Sequence, residues 1–430
     1  MRILKVFFSP YPWDVRVEKI ARSLVNTGHD LTLLCRNDRL QPTREQIDGI
    51  EVMRLRPLRI APDLLNRMWN APLPVNPVWW LHIASALRSV RPDLVLVRDI
   101  PLAVPCALLA RRSGIPTVLD MAENYPAAIA EWLRWEHCGP LRRLERNVML
   151  ARCLERMAVA LADHILVVAD EQRQRLVQMG VSPGLISIVG NTPELGVSPA
   201  QNPELNDSLR RRFHGRTVMF YFGELHLHRG IDVAIRATAI LHRTGNQPLL
   251  VLAGRGVHEQ SLRRLAAEAG VEDHVSFEGW VEPHLLPSYI ANVDVALVPH
   301  HTSEHTNTTL PNKLFEYMAH CKPVVVSDAA PLARVVRTEG CGVVFRSGNA
   351  MSLADAVLQA SDTHSGPLMG ACGREAVLRR YNWSADRRRL CLALDSVGTR
   401  ADSPNPGGTT PRRHLPEYGP AAPDTGRDGT

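Results

Sequence analysis

The chain has 430 residues, of which 45% are apolar and 22% charged, and a formal net charge of +6. That length accommodates two domains with separate cores, and no stretch approaches the roughly 18 apolar residues of a membrane-spanning helix. Aromatic residues make up only 5% and are dispersed, so the composition offers no stacking surface for nucleic acid.

The opening MRILKVFF is basic and then apolar, but Ser9, Pro10, Tyr11, Pro12, Trp13 and Asp14 end the run. It reads as a first strand over 3–8 rather than as a signal peptide. A helix follows over 15–26, stopped at Gly28, and a second strand over 31–35. The stretch 57–80, rich in proline and tryptophan, reads as an irregular excursion packed on one face. The alternation resumes with a strand over 94–97, a helix over 102–112 ended by Ser113 and Gly114, and strands over 117–119 and 165–168. Between the last two, LRRLERNVMLARCLERMAVALADH (141–164) has the pattern of a basic amphipathic helix, suited either to packing on its own domain or to a membrane surface.

The stretch NTPELGVSPAQNPELND is rich in proline and asparagine and marks a linker, placed at 196–212. From Thr217 the rhythm restarts with a strand over 217–222, a polar loop, a helix over 231–243 and a strand over 248–253. The fold class is therefore α/β: two doubly wound, Rossmann-like domains facing across a cleft. The first covers 1–195 and the second 213–375. A C-terminal helix over 376–398 is expected to pack back toward the first domain, and the polar tail 399–430 to be disordered. Eight scattered cysteines without a Cys-x-x-Cys pair fit reduced thiols and a cytoplasmic protein.

In open parallel sheets, ligands collect beyond the carboxyl ends of the strands, where helix N-termini present unpaired N–H groups. The loop GELHLHRGID offers Gly223, Glu224, Arg229 and Gly230; a guanidinium beside free amides suits a phosphate, although it would also suit capping of a surface helix. In LPNKLFEYMAHCKPVVVSD, Asn312 can cap a helix and leave N–H groups near Lys313 and Leu314 for a diphosphate. Glu316, one turn deeper, can accept hydrogen bonds from two adjacent sugar hydroxyls or pair with an arginine. AGRGVHE places Gly254 and Gly256 in a third loop. The histidines at 226, 228, 300, 301 and 305 lack metal-ligand spacing, so no metal site is expected.

Together, LPNKLFEYMAHCKPVVVSD, YFGELHLHRGID, VLAGRG, FEGWVEPHLLPSYIANVDVALVP and the closing YNW resemble the retaining, nucleotide-sugar-dependent glycosyltransferases of family 4, which have the GT-B fold. DVRVEKIARSLVNTGHDLTLL, VLDMAENYP and ILVVADEQRQRL extend the resemblance through the first half. It implies that Glu316 binds the donor ribose, that Arg229 and the backbone at 312–314 grip the donor phosphates, and that Gly254, Gly256 and Trp280 wall the nucleotide base. Three positions depart from the family pattern: Thr308 where a first glutamate is usual, Glu224 where a basic residue is common, and Asp120-Met121-Ala122-Glu123 where many relatives have a histidine.

The implied reaction moves a glycosyl group from a nucleoside diphosphate sugar to an acceptor hydroxyl with retention, without a metal or other cofactor. Arg229 stabilises the leaving diphosphate, Asp120, Glu123 and Asn124 face the acceptor, and Asp14, Arg16 and Asp99 stand further out. Expected partners are the donor and a glycan, lipid-linked or small-molecule acceptor, with peripheral contact at the inner membrane face as a further expectation and no nucleic acid. The alternatives are a nucleotide-sugar epimerase of the same fold and a non-catalytic nucleotide-sugar-binding protein.

Overall fold

Apolar runs flanked by turn residues assemble into two sheets in the computed structural model, which describes residues 1–12, 14–38, 41–56, 69, 71, 74–135, 146–196 and 202–402, the last four by their backbone only. The first sheet contains β1 (Arg2–Pro10), β2 (Asp30–Arg36), β3 (Arg44–Ile47), β4 (Ile50–Arg54), β5 (Leu94–Arg98), β6 (Thr117–Met121), β7 (His164–Val167) and β8 (Ile186–Ile188). Their spatial order is β3-β4-β2-β1-β5-β6-β7-β8. The β3–β4 hairpin is antiparallel, on an otherwise parallel sheet. That hairpin is absent from the elements read off the sequence, because REQI alternates half-exposed positions at an edge and carries little apolar signal.

The second sheet contains β9 (Thr217–Phe222), β10 (Pro248–Ala253), β11 (Val275–Gly279), β12 (Val295–Val298), β13 (Val324–Ser327) and β14 (Gly342–Phe345), all parallel, in the order β11-β10-β9-β12-β13-β14. This is the doubly wound order, with its reversal between β9 and β12. The loops that follow those two strands therefore open on the crevice where ligands bind such sheets.

Helices α1 (Val15–Asn26), α2 (Pro77–Val90), α3 (Ala103–Arg112), α4 (Tyr125–Trp135), α5 (Val148–Leu161) and α6 (Asp170–Gln178) accompany the first sheet. With the second go α7 (Pro203–Phe213), α8 (Ile231–Arg243), α9 (Glu259–Glu268), α10 (Leu286–Ala291), α11 (Asn312–Ala319), α12 (Ala330–Glu339), α13 (Ala350–Ala360) and α14 (Ser365–Arg379). Asp14 caps α1 by accepting a hydrogen bond from the Val17 amide (2.8 Å), which fixes where the first helix begins.

Three expectations change in detail. The stretch 196–212 is not only a linker: its second half is α7, whose Leu209 and Phe213 are buried in the core of the second domain. The last helix, α15 (Trp383–Asp402), extends past 398, so the boundary set there for the tail falls inside a helix, and 403–430 lie outside the described residues. Most of 57–73 also lies outside them, whereas Pro77 to Trp80 begin α2 and bury Trp79 completely.

Helix α15 packs its Leu390, Ala393, Leu394 and Val397 with Ile3, Ile20 and Leu24 in the first domain's core. The YNW motif makes this crossing. Tyr381 stacks on Phe315 of the second domain (ring centroids 4.9 Å apart), while the Trp383 indole N–H donates to Ser23 Oγ of the first (2.8 Å). Thr192 Oγ1 donates to Asp386 at 2.6 Å, tying the other crossover to the same helix. Across the crevice, Arg334 of α12 pairs with Glu171 (2.6 Å) and Asp170 (3.3 Å) at the start of α6.

Candidate active site

The strand β9 ends at Phe222, and the chain turns through Gly223 and a short 3-10 turn, Leu227–Arg229, before Gly230 opens α8. The glycines here are demanded by backbone packing rather than by room for a ligand. Gly230 has φ +69°, and a Cβ there would sit 1.9 Å from the Pro299 carbonyl oxygen; one on Gly254 would sit 1.8 Å from that of Gly223. Gly256 is equally tight, 2.2 Å from the Leu225 carbonyl oxygen. The loops after β9, β10 and β12 are thus pressed against one another, which holds Arg229 rigidly at the crevice.

The loop after β12 leads into α11, whose N-cap is Pro311 rather than the expected Asn312, with no side chain capping it. Asn312 is the first helical residue; Leu314 N donates to the Pro311 carbonyl (3.2 Å), which leaves the amides of Asn312 and Lys313 to a ligand or solvent. Lys313 is buried and lies over the Tyr221 ring (3.9 Å) beside Gly223. Burial, then the nearby Arg229 charge, push its pKa well below the usual lysine range, with Glu224 partly offsetting them. Arg229 has the same influence on His300 and His228, both held below the normal histidine value chiefly by burial. Arg229, Lys313 and the start of α11 therefore form one electropositive corner.

Leu314 is fully buried, and Phe222 N donates to the Tyr317 hydroxyl (3.1 Å), which locks α11 against β9. That lock turns Glu316 toward the first domain. Burial raises its carboxyl pKa, while Lys19 of α1 and His320 oppose the rise. Lys19 donates to the Thr192 carbonyl (2.8 Å) and lies 5.8 Å from the Trp383 ring. Arg229 thus acts on Lys313, while Glu316, three residues along α11, acts on Lys19 of the first domain. Trp280 is 61% exposed, with its indole N–H donating to Glu282, and Glu224 is exposed. Thr308 is turned inward, its hydroxyl donating to the Glu304 and His305 carbonyls (3.1 and 2.9 Å).

In the first domain, the structure separates the residues expected to face an acceptor. Asp120 is fully buried and accepts from Arg16 Nη2 (2.6 Å) and Nε (3.0 Å), with Arg98 at 3.6 Å and Lys5 at 3.9 Å. Burial alone would raise its pKa, but these three cations outweigh it and hold the carboxyl at about 2. Asp120 is thus an internal counter-ion, not an acceptor contact. Arg16 is its partner and also donates to the Val189 carbonyl (2.8 Å) and Asn191 Oδ1 (2.9 Å), so it braces α1 rather than lining the crevice. Asn124 is fully buried and its side-chain oxygen accepts from the Ala127 amide, starting α4.

Asp14 and Glu123 remain partly exposed, whereas Asp99 is buried. Asp99 adopts φ +55°, accepts from the Ala122 amide (3.2 Å) and lies 3.3 Å from Arg98; burial, against that arginine, lifts its pKa to about 7. Asp14 lines a cavity of about 260 Å³ with Phe7, Ser9, Tyr11 and Gln41 at the carboxyl edge of β1. Glu123 is half-exposed, and its Oε2 lies 3.8 Å from His305 Nε2.

His305 arrives from the second domain. Its Nδ1 donates to Glu131 Oε2 of α4 at 2.8 Å, and it is itself buried. Next to it, His301 stacks on Trp135 (5.5 Å) and contacts Asp232 (3.1 Å). The sequence named His305 only among histidines without metal-ligand spacing, and it assigned no role to Glu131 or Lys19.

The first domain matches the glycosyl transferase 4-like domain over residues 14–192, and the second matches the glycosyl transferases group 1 over 207–375. The chain belongs to the family-4 glycosyltransferases. It is 29% identical over 203 residues to the GDP-mannose-dependent alpha-(1-6)-phosphatidylinositol monomannoside mannosyltransferase of Mycobacterium tuberculosis, covering 46% of this chain and 52% of that protein. To the alpha-D-kanosaminyltransferase of Streptomyces kanamyceticus it is 24% identical over 256 residues, 58% of this chain and 62% of that one. The chain thus spans about half to three-fifths of the length of these two relatives. Glycogen synthase of the same Mycobacterium is 25% identical over 99% of this chain and 100% of its own.

The family's GT-B fold is shared with solved structures. Sucrose-phosphate synthase from Thermosynechococcus elongatus superposes with a TM-score of 0.74 at 17% identity, over 93% of this chain and 99% of that one. Anabaena HepE, solved in complex with UDP-glucose, gives 0.67 at 17% identity over 92% and 100%.

Proposed function

We propose that the protein transfers a glycosyl group from a nucleoside diphosphate sugar to a hydroxyl of a glycan, lipid-linked or small-molecule acceptor, with retention at the anomeric carbon. The observation that carries this reading is the electropositive corner: Arg229 and the depressed Lys313 beside the uncapped start of α11, with Glu316 one turn further on the same helix. Burial and Arg229 disfavour the charged form of Lys313, and a diphosphate placed beside them favours it.

In the transition state the bond from the anomeric carbon to the diphosphate oxygen breaks and negative charge builds on the leaving group. Arg229, Lys313 and the α11 amides stabilise that charge without reorganising. The acceptor oxygen bonds to the same carbon face, and its proton passes to the departing phosphate oxygen, so these residues complete the reaction without a metal. Glu316 accepts from the ribose hydroxyls, and Glu123, paired across the crevice with His305, faces the acceptor.

A thermal-shift screen of UDP-, GDP-, TDP- and ADP-sugars tests the donor, and transfer assays with the stabilising donor test the reaction. One donor is expected to stabilise the protein and to be consumed only when an acceptor is supplied. Epimerised donor without acceptor, or binding with no transfer to any acceptor, contradicts the transferase reading.

A further inference from the structure

The turn over 303–308 that leads toward α11 is held by its own hydrogen bonds. Asn307 N donates to the Ser303 carbonyl (2.9 Å), and Thr308 donates to the His305 carbonyl from both its amide (3.0 Å) and its hydroxyl (2.9 Å). From this fixed turn the His305 imidazole crosses to α4 of the first domain, where Nδ1 donates to Glu131 Oε2. The Glu131 carboxylate is itself buried, so it sets both the orientation of the ring and the proton on Nδ1.

The other ring nitrogen is left over. Nε2 is buried and, among the described residues, has no hydrogen-bond partner; Glu123 Oε2, at 3.8 Å, is beyond hydrogen-bond range. His305 is only 7% exposed, and a polar atom so buried costs stability until a ligand completes it. Glu123 is half-exposed, so Nε2 is directed at the crevice.

That nitrogen lies beside the phosphate corner. His301 N, in the same loop, donates to the His228 carbonyl (3.1 Å) in the 3-10 turn that ends at Arg229, and α4 packs against this turn. Arg229, Lys313 and His305 all lie within electrostatic reach of the buried His228 and His300. A diphosphate gripped by Arg229 and the start of α11 therefore carries its sugar toward the His305 ring.

We infer that His305 Nε2 binds a hydroxyl of the transferred sugar, and that Glu131 is the positioning residue that aims it. With the Nδ1 proton committed to Glu131, Nε2 of the neutral ring presents a lone pair and accepts from that hydroxyl. Two oxygens held separately by Nε2 and by Glu123 Oε2, 3.8 Å apart, are close neighbours, as a sugar and the hydroxyl that attacks it must be. The inference rests on the transferase reading and adds to it the residue that recognises the sugar itself.

Two amide substitutions separate the brace from the contact. An asparagine amide reaches only as far as Nδ1, so His305→Asn keeps a donor for Glu131 and loses Nε2; a glutamine amide reaches as far as Nε2, so His305→Gln does the reverse. Calorimetric titration compares UDP-glucose, GDP-mannose, TDP-glucose and ADP-glucose, each against its bare diphosphate. For the pair that binds, His305→Asn is expected to weaken the sugar nucleotide by about 5-fold, the size of one neutral hydrogen bond, and to leave the diphosphate unchanged. His305→Gln should lower the thermal midpoint yet keep the sugar nucleotide within about 2-fold of wild type, which carries the test if His305→Asn does not fold. Glu131→Ala should lose the sugar-dependent part of the affinity, and Glu131→Gln, whose amide oxygen still accepts from Nδ1, should restore it. Unchanged sugar nucleotide affinity in His305→Asn, or equal losses of sugar nucleotide and diphosphate in both His305 variants, overturns the inference and leaves the transferase reading standing. A wild type that binds none of these nucleotides overturns that reading, and the inference with it.

Discussion

His305 of the second domain donates from Nδ1 to Glu131 Oε2 of the first at 2.8 Å, and both side chains are buried. This bond joins the loop that feeds α11 to the helix that follows Glu123. His305→Ala leaves the Glu131 carboxylate buried without that donor, at a cost of about 1–3 kcal/mol. We expect a lower thermal midpoint and faster proteolysis between the domains, and Glu131→Gln, which keeps an acceptor, to be milder. Equal midpoints for the wild type and His305→Ala would exclude a bracing role.

Asp120 holds three buried cations, so its replacement should act on folding before chemistry. Asp120→Asn is expected to destabilise the protein by about 3–5 kcal/mol, as for a buried ion pair that loses one partner. The folded-state pKa of about 2 lies below the ordinary aspartate value near 4. Its stabilisation is therefore complete above about pH 4 and lost as pH falls toward 2. Denaturant unfolding of the wild type and Asp120→Asn across that window should show the two curves converging.

Asp99 has the opposite sign. Its folded pKa of about 7 exceeds the unfolded value near 4, so the folded state is penalised increasingly as pH rises from about 4 to 7. Asp99→Asn tolerates the left-handed backbone and can still accept from the Ala122 amide. The stability of this variant relative to wild type should rise through that interval and then level off. A difference independent of pH would contradict it.

How much of this was legible beforehand follows from the range of each interaction. Helices 15–26 and 231–243 and strands 217–222 and 248–253 match the observed bounds, because capping residues and apolar runs are local signals. Arg229 and Lys313 were singled out because a loop after a strand and the helix start it leads into are local features of the sequence. The pair His305 and Glu131 lies 174 positions apart, and nothing local marks it. Asp120 and Arg16 misled for a related reason: a carboxylate at the end of a strand looks the same in sequence whether it faces a ligand or an arginine.

Lys313 is held well below the usual lysine range, first by burial and then by Arg229. A diphosphate bound beside Lys313 should raise its proton affinity, so donor binding is expected to take up protons at pH values where the lysine of the free protein is partly deprotonated. Calorimetry in buffers of different ionisation enthalpy measures that uptake. Lys313→Met should abolish it.

Arg229→Ala removes charge stabilisation at the leaving group and should lower kcat by about 10²–10³-fold, the range for removing one transition-state donor. Glu316→Ala should instead raise the KM for the donor, because a ribose contact is made equally in ground and transition states.

A crystal structure with a bound nucleoside diphosphate tests the phosphate corner most directly. We expect the phosphates within hydrogen-bond distance of the Arg229 guanidinium and the first amides of α11, and the ribose hydroxyls on Glu316. A nucleotide seated elsewhere, for instance in the cavity beside Asp14, with Arg229 and Glu316 untouched, would contradict the assignment.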